Sequence, residues 1–305
     1  MSLDGTDEHS SGPCEIGPGF EHRLVDVGPV RIQTSIGGSG APVLLLHGYP
    51  QNHLMWRHLA PVLAQQRTVV VADLRGYGDS DAPAPDADGS TYSKRTMAAD
   101  QVELMHRLGF DEFTVIAHDR GARVAHRLLL DHPDRVDRAA LLDIVPTRHV
   151  YGHVDRGLAT AYYHWFLLAT GHGIPEHLLK QDPGFWVRSL IEPLLGRGSH
   201  IDTATMADYI RTFTPATIDA TCADYRAGAS IDLTHDDETR ARGQRIEIPV
   251  LALWGDQSWV GRGYDTLAVW QEYAADVRGH SLPSGHFVAE EQPELLERAL
   301  TDWLT

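Results

Sequence analysis

Three things are scarce in this chain: cysteine, basic residues and long apolar stretches. Only Cys14 and Cys222 occur in 305 residues. Two thiols so far apart do not make a disulfide framework, and a reducing cytoplasm is the expected setting. Lys and Arg number 26 against 42 Asp and Glu, a formal net charge of −16. Phosphate binding needs a basic face, so no nucleic-acid partner is expected. An anionic substrate would have to be held by local cations against an unfavourable overall field. No apolar stretch approaches the roughly 20 residues that cross a bilayer. The first twenty residues lack a basic segment followed by an apolar one, so neither membrane span nor secretory leader is expected. What is present is 42% hydrophobic residues. In a chain of this length that serves one large α/β domain with an insertion, or two ordinary domains.

Residues 1–19 are rich in Gly, Ser, Asp and Glu and are expected to form a flexible tail. Leu24–Val27 and the alternating Val30–Thr34 read as strands. Val43–Leu46, Thr68–Ala72, Phe113–Ala117 and Arg138–Ile144 are short apolar runs of the kind buried on both faces of a parallel sheet. Helices are expected over Trp56–Leu63, 92–108 and Gly121–Asp131. This β-α-β order implies α/β architecture with a doubly wound, mostly parallel sheet. After Pro146 the texture changes. Residues 148–240 contain helical pieces (Leu158–Ala169, Phe185–Leu195, Thr205–Phe213, Thr217–Ala227) and no convincing buried strand. The sheet pattern resumes at Ile248–Trp254, followed by a helix over Leu267–Ala275, a short strand near Val277 and Ser281, and a last helix over Pro293–Leu304. The simplest organisation is a core of residues 20–147 and 241–305 interrupted by a helical cap, 148–240.

The strongest chemical signal is Ala117-His118-Asp119-Arg120-Gly121, between a buried strand and a helix. Small flanking residues permit the strained strand-to-helix turn that lifts one side chain above the sheet, a nucleophile elbow. The residue lifted here is Asp119. A carboxylate attacks carbon directly and leaves an ester on the enzyme. The plainer reading is an aspartate capping the helix. Breaking the ester requires a base, and His286, in Ser284-Gly285-His286-Phe287 before the final helix, completes a nucleophile, acid, histidine order. Two acids could orient it: Asp143 at the end of the fourth buried strand, and Asp256 after Trp254-Gly255. Backbone N–H groups of Tyr49, in His47-Gly48-Tyr49-Pro50, and of Arg120 are candidate oxyanion donors, although the former motif also suits a plain tight turn. Arg120 and Arg123, one helical turn apart, suggest capture of a substrate carboxylate. Arginines also pair with aspartates for structure alone.

HGYPQ (47–51), ADLRGYGDS (72–80), HDRGARVAHR (118–127), LLDIVP (141–146), YHW (163–165), DYRAG (224–228), LALWG (251–255) and SGHF (284–287) together resemble the α/β-hydrolase superfamily. Within it, the chain resembles the haloacetate (fluoroacetate) dehalogenases, from about residue 20 onward. That resemblance implies an α/β-hydrolase fold with Asp119 as nucleophile, His286 as base and Asp143 as its acid partner. It implies Arg120 and Arg123 as carboxylate holders, and His164, Trp165 and Tyr225 as the halide site. Imidazole, indole and phenol can each donate a hydrogen bond to a departing fluoride; without the resemblance, lid packing would explain Trp165 and Tyr225. No cofactor and no metal are implied, and a homodimer is suggested by the resemblance alone. The segment after YHW departs from the family, which more often has Gln-Pro near Thr170-Gly171.

The resulting expectation is a hydrolase that converts a short 2-haloacid and water into the 2-hydroxy acid and halide. An epoxide hydrolase would use Asp119 with two tyrosines from Tyr162, Tyr163, Tyr209 and Tyr225. A haloalkane dehalogenase would be expected to carry Trp where Arg120 stands. A non-catalytic sensor of small acids is the remaining alternative.

Overall fold

The computed structural model describes residues 15–304. Eight strands form one sheet: β1 (Phe20–Asp26), β2 (Arg31–Gly38), β3 (Pro42–Leu46), β4 (Thr68–Ala72), β5 (Phe113–His118), β6 (Val136–Leu142), β7 (Val250–Gly255) and β8 (Val277–Leu282). Their spatial order is β1-β2-β4-β3-β5-β6-β7-β8. The β1–β2 and β2–β4 pairs are antiparallel and every other pair is parallel. The apolar runs explain the centre: β5 is buried along its whole length, and β3 and β4 are buried at all but their first residue. A parallel strand covered by helices on both faces has no position left for water-facing side chains.

Register places the chemistry. Leu46 pairs with Ala72 and Ala117, His118 with Leu142, and Leu142 with Leu253. The carboxyl ends of the central strands are therefore level, and the next residues emerge side by side: His47 after β3, Asp119 after β5, Asp143 after β6. This is where open α/β sheets hold their ligands.

Between β6 and β7 the chain is helical from Thr147–Gly152 to Ile231–Ala241. Several elements differ from expectation. Trp56–Leu63 is two short pieces, His53–Trp56 and Ala60–Leu63, because Pro61 cannot donate within a helix and instead opens the second. Leu158–Ala169 is split into Arg156–Ala161 and Tyr163–Leu168 at Tyr162, whose ψ of 36° leaves the helical region. Thr147–Gly152, Ile174–Leu179 and Ile231–Ala241 are additional helices. Of the expected tail over residues 1–19, residues 1–14 lie outside the described residues. Ile16, however, is buried in the main core, so the packed chain starts ahead of β1. No helix among the described residues is long and apolar enough to cross a membrane.

Candidate active site

Asp119 is the first residue of the helix Asp119–Asp131 and follows β5 directly. It takes φ = 43°, a left-handed conformation that costs a non-glycine residue energy. The turn is tight on every side. A Cβ on Gly121 would run into the His47 carbonyl, and one on Gly48 would stand 2.6 Å from the Asp119 Cβ. The carboxylate does not cap its helix. The Tyr49 N–H donates to Asp119 Oδ1 at 3.0 Å, while Oδ2 lies 3.9 Å from His286 Nε2. Among the described residues, no hydrogen bond joins the Arg120 N–H to this carboxylate. Of the two oxyanion donors expected, the Tyr49 amide is the one in contact with it. Burial would raise the Asp119 pKa, but the charges of His286 and Arg123 hold it below the usual carboxylate range.

His286 Nδ1 faces Asp143 Oδ2 at 2.6 Å. Asp143, itself at φ = 50°, is further fixed by Gly255 N–H at 2.9 Å and Ser258 Oγ–H at 2.7 Å, both to Oδ1. Burial works against a protonated His286. The hydrogen bond and charge of Asp143, with Asp119 beyond it, reverse the sign and raise its pKa. Asp256, the other candidate acid, is exposed and meets the sheet through its backbone, its N–H bonding to the Leu282 carbonyl. The imidazole is held from behind as well: His118 Nε2 lies 2.9 Å from the His286 carbonyl.

The two arginines separate. Arg120 is buried and bound by Asp224, through Nε to Oδ2 at 2.8 Å and Nη2 to Oδ1 at 2.8 Å. Asp224 also takes the Tyr77 hydroxyl at 2.6 Å and the buried Lys94 ammonium. Arg123 is buried too, yet no carboxylate oxygen of the described residues lies within salt-bridge distance of it. Its Nη1 donates to the Val145 carbonyl at 3.0 Å and Thr147 Oγ1 at 3.1 Å, and its Nε has no partner. Each guanidinium lies on an aromatic face: Arg120 4.2 Å from the Tyr225 ring centre, Arg123 4.4 Å from that of Trp165. The YHW and DYRAG aromatics thus brace the cations, an arrangement worth about 0.5–2 kcal/mol each.

Asp119 and His286 open on a cavity closed by Tyr49, Pro50, Tyr162, His164, Trp165, Leu190 and Leu194. It offers about 10 Å³ to the centre of a water-sized sphere, room for about one water. Arg120, Arg123 and Tyr225 stand behind this wall rather than in it. Burial lowers the His164 pKa to about 3, so its ring is neutral, and its Nδ1 is unpartnered. Tyr162 and Tyr225 are buried phenols with pKa values pushed well up, so both keep their protons. Of the other two tyrosines, Tyr163 is 43% exposed and the Tyr209 hydroxyl is bound to Glu290.

A sequence model of the alpha/beta hydrolase fold matches residues 41–293. The chain belongs to the α/β-hydrolase family. As such it is a hydrolase, and its relatives narrow the comparison. A fluoroacetate dehalogenase from a Burkholderia species is 42% identical over 94% of both chains. A soluble epoxide hydrolase from a Corynebacterium species is 34% identical over 90% of this chain and 94% of its own. A solved α/β hydrolase from Nostoc is 52% identical, with a TM-score of 0.91 over 94% of this chain and 98% of that one.

Three residues that hold the site escape a reading of the sequence: Ser258 on Asp143, Asp224 on Arg120, and Glu291, which accepts from the N–H groups of Gly285 and Phe287 on either side of His286. Asp224 stands in DYRAG beside Tyr225 and could have been singled out as a carboxylate next to an expected site aromatic. Ser258 and Glu291 carry no local signal.

Proposed function

We propose that this hydrolase cleaves the carbon–halogen bond of short 2-haloacids through an ester on Asp119. Arg123 carries the reading: a buried cation one turn from the nucleophile, lacking an acidic partner among the described residues, suits a substrate carboxylate. Burying a guanidinium unpaired is costly, and an incoming carboxylate would remove that cost. Arg120, already neutralised by Asp224, would add a second donor more than a second charge.

Asp119 Oδ2, the oxygen the Tyr49 amide leaves free, would attack the halogen-bearing carbon. The new C–O bond forms as the C–halogen bond breaks, and the halide leaves with the bonding pair. His164 and Trp165 in the cavity wall, with Tyr225 behind, would replace part of its hydration. His286 then takes a proton from water, and the hydroxide adds to the Asp119 carbonyl carbon. The resulting charge would build on Oδ1, where the Tyr49 N–H already points; collapse would expel the product oxygen, which takes the proton back from His286 to give the 2-hydroxy acid, and the Asp119 carboxyl would lose its proton to water. With room for about one water, the cavity would have to widen, its roof rings parting, to admit a short acid and let its carboxylate reach Arg123 behind Trp165. No step calls for a cofactor or a metal.

Epoxide opening is the second reading, because the protonated Tyr162 lines the cavity. It needs two phenols; Tyr225 lies under Arg120 instead of in the wall, and the hydroxyl of Tyr49, the other phenol of the wall, is held by the Trp186 indole N–H at 2.5 Å. A halide-release panel of fluoroacetate, chloroacetate and 2-chloropropionate, run beside styrene oxide hydrolysis, tests both. Halide from the acids without diol from the epoxide is the expected result; diol without halide would overturn it.

A further inference from the structure

Two carboxylates follow the base closely: Glu290 and Glu291 end the helical turn Val288–Glu291. Glu291 is occupied entirely with backbone. Its Oε2 accepts from the Gly196 N–H at 2.7 Å and the Gly285 N–H at 2.9 Å, and its Oε1 from the Phe287 N–H at 3.0 Å. Gly285 and Phe287 flank His286 on either side, whereas Gly196 belongs to the helical insert. The N–H of His286 donates to the Leu194 carbonyl at 2.9 Å, again in the insert. The two backbones touch without side chains between them. A Cβ on Gly196 would stand 2.7 Å from the Gly285 nitrogen, and one on Gly285 would run into Gly196 and Leu194. Bonds from N–H groups to a carboxylate are about twice as strong as neutral ones, so three converging on one side chain hold this junction firmly. Glu290 serves a different part of the insert: it accepts from the Tyr209 hydroxyl, from Gln51 Nε2 at 3.2 Å and from Arg57 Nη1 at 2.5 Å.

We propose that Glu291 is a positioning residue that sets His286 and makes its placement depend on the seating of Leu194–Gly196. Leu194 lines the cavity beside Asp119 and His286, so the segment that borders the substrate also holds the base. The inference rests on Asp119 as nucleophile and His286 as base, and holds for haloacid and epoxide alike, since both end in an aspartyl ester. Ester formation needs Asp119 and bound substrate; ester hydrolysis also needs His286. Glu291 therefore acts on the second step. Its charge is also among those that raise the His286 pKa.

The test follows chloride release and intact-chain mass after rapid mixing with chloroacetate, for the unaltered protein, Glu291→Gln, Gly196→Ala and Tyr209→Phe. Glu291→Gln keeps the shape but replaces one acceptor oxygen with an amide NH2. It is expected to release one equivalent of chloride per site at close to the unaltered rate. Steady turnover should then fall at least about tenfold, the loss of one charge-assisted hydrogen bond, while the ester accumulates on Asp119. Gly196→Ala, which presses on the same junction from the insert, should do likewise and carries the test if Glu291→Gln has no cooperative melting transition. Tyr209→Phe loosens the insert through Glu290 and Gln51, leaving the three bonds to Glu291 in place, and should accumulate no ester. Equal slowing of burst and turnover in Glu291→Gln without ester would overturn the proposal, as would ester accumulation in Tyr209→Phe. An unaltered protein that forms no ester would instead refute the reading of the site itself.

Discussion

On the floor of the cavity, Asp119 and Asp143 stand at φ values of 43° and 50°, and Asp119 is gripped by a backbone amide and hemmed in by glycines. On the roof, His164 and Trp165 are placed by ring packing, and Trp165 and Tyr225 lie against arginines. Floor geometry is thus written into the main chain, and roof geometry into side-chain contacts. Main-chain strain can be imposed only by the whole sheet and its crossovers, so the floor has little freedom to vary. The roof can exchange one side chain for another and change what is bound without disturbing the attack. On the proposed reading, the floor fixes the type of reaction, and the cations and rings around it choose the substrate.

The sharpest way to break this contrast is Asp119→Asn. Asparagine tolerates the left-handed turn, so melting should be nearly unchanged while kcat falls by about 10⁴-fold or more for every substrate. A variant that retained turnover would detach the reaction from the floor. Next, Asp224→Asn removes the shared counter-charge of two buried cations, Arg120 and Lys94. It should lower stability by about 3–5 kcal/mol in a denaturant titration. Arg123→Met should do the opposite in kind: stability largely kept, with kcat/KM for chloroacetate down about 10–100-fold, the worth of hydrogen bonds to a charged group. If instead Asp224→Asn spared the fold while Arg123→Met collapsed it, the division of labour between the two arginines would be reversed.

The pH dependence is a smaller effect. His286 must be neutral to take a proton from water, and Asp143 and Asp119 raise its pKa above the ordinary 6.5. In the ester the Asp119 charge is gone and Asp143 alone of the two offsets burial, so the acidic limb of the hydrolysis step should lie below the pKa of His286 in the free protein, with turnover rising as pH increases through it. Asp143→Asn should move that limb further down; a limb that stayed in place would remove Asp143 from its role. The smallest change expected is from Asp256→Asn. That side chain is exposed, so turnover should stay within a factor of about two.

Most of the floor was legible in the sequence because its signals are local. Asp119 between small residues after an apolar run announces the turn, and SGHF before the last helix announces the histidine that stands between Asp119 and Asp143. The choice between Asp143 and Asp256 was not local, since both follow strands. The residue pattern left it open, the resemblance pointed to Asp143, and the 2.6 Å contact with His286 puts Asp143 there while Asp256 faces solvent. In the insert, helix existence could be read but not helix breaks. Tyr162 breaks what reads as a single helix, and the turn there brings His164 and Trp165 over the floor. Arg120 and Arg123 looked equivalent because spacing says only that they share a face. Their difference comes from Asp224, about a hundred residues away in sequence. Glu291 was invisible for a related reason: its partners are backbone amides, which no residue pattern encodes.

A single turnover in heavy-oxygen water, with protein in excess over chloroacetate, tests the central claim most directly. The account requires the glycolate to carry ordinary oxygen taken from Asp119 Oδ2, and the heavy atom to appear in the Asp119 carboxylate. Heavy oxygen in the first glycolate released, with Asp119 unlabelled, would mean that water attacks the substrate and that no ester forms.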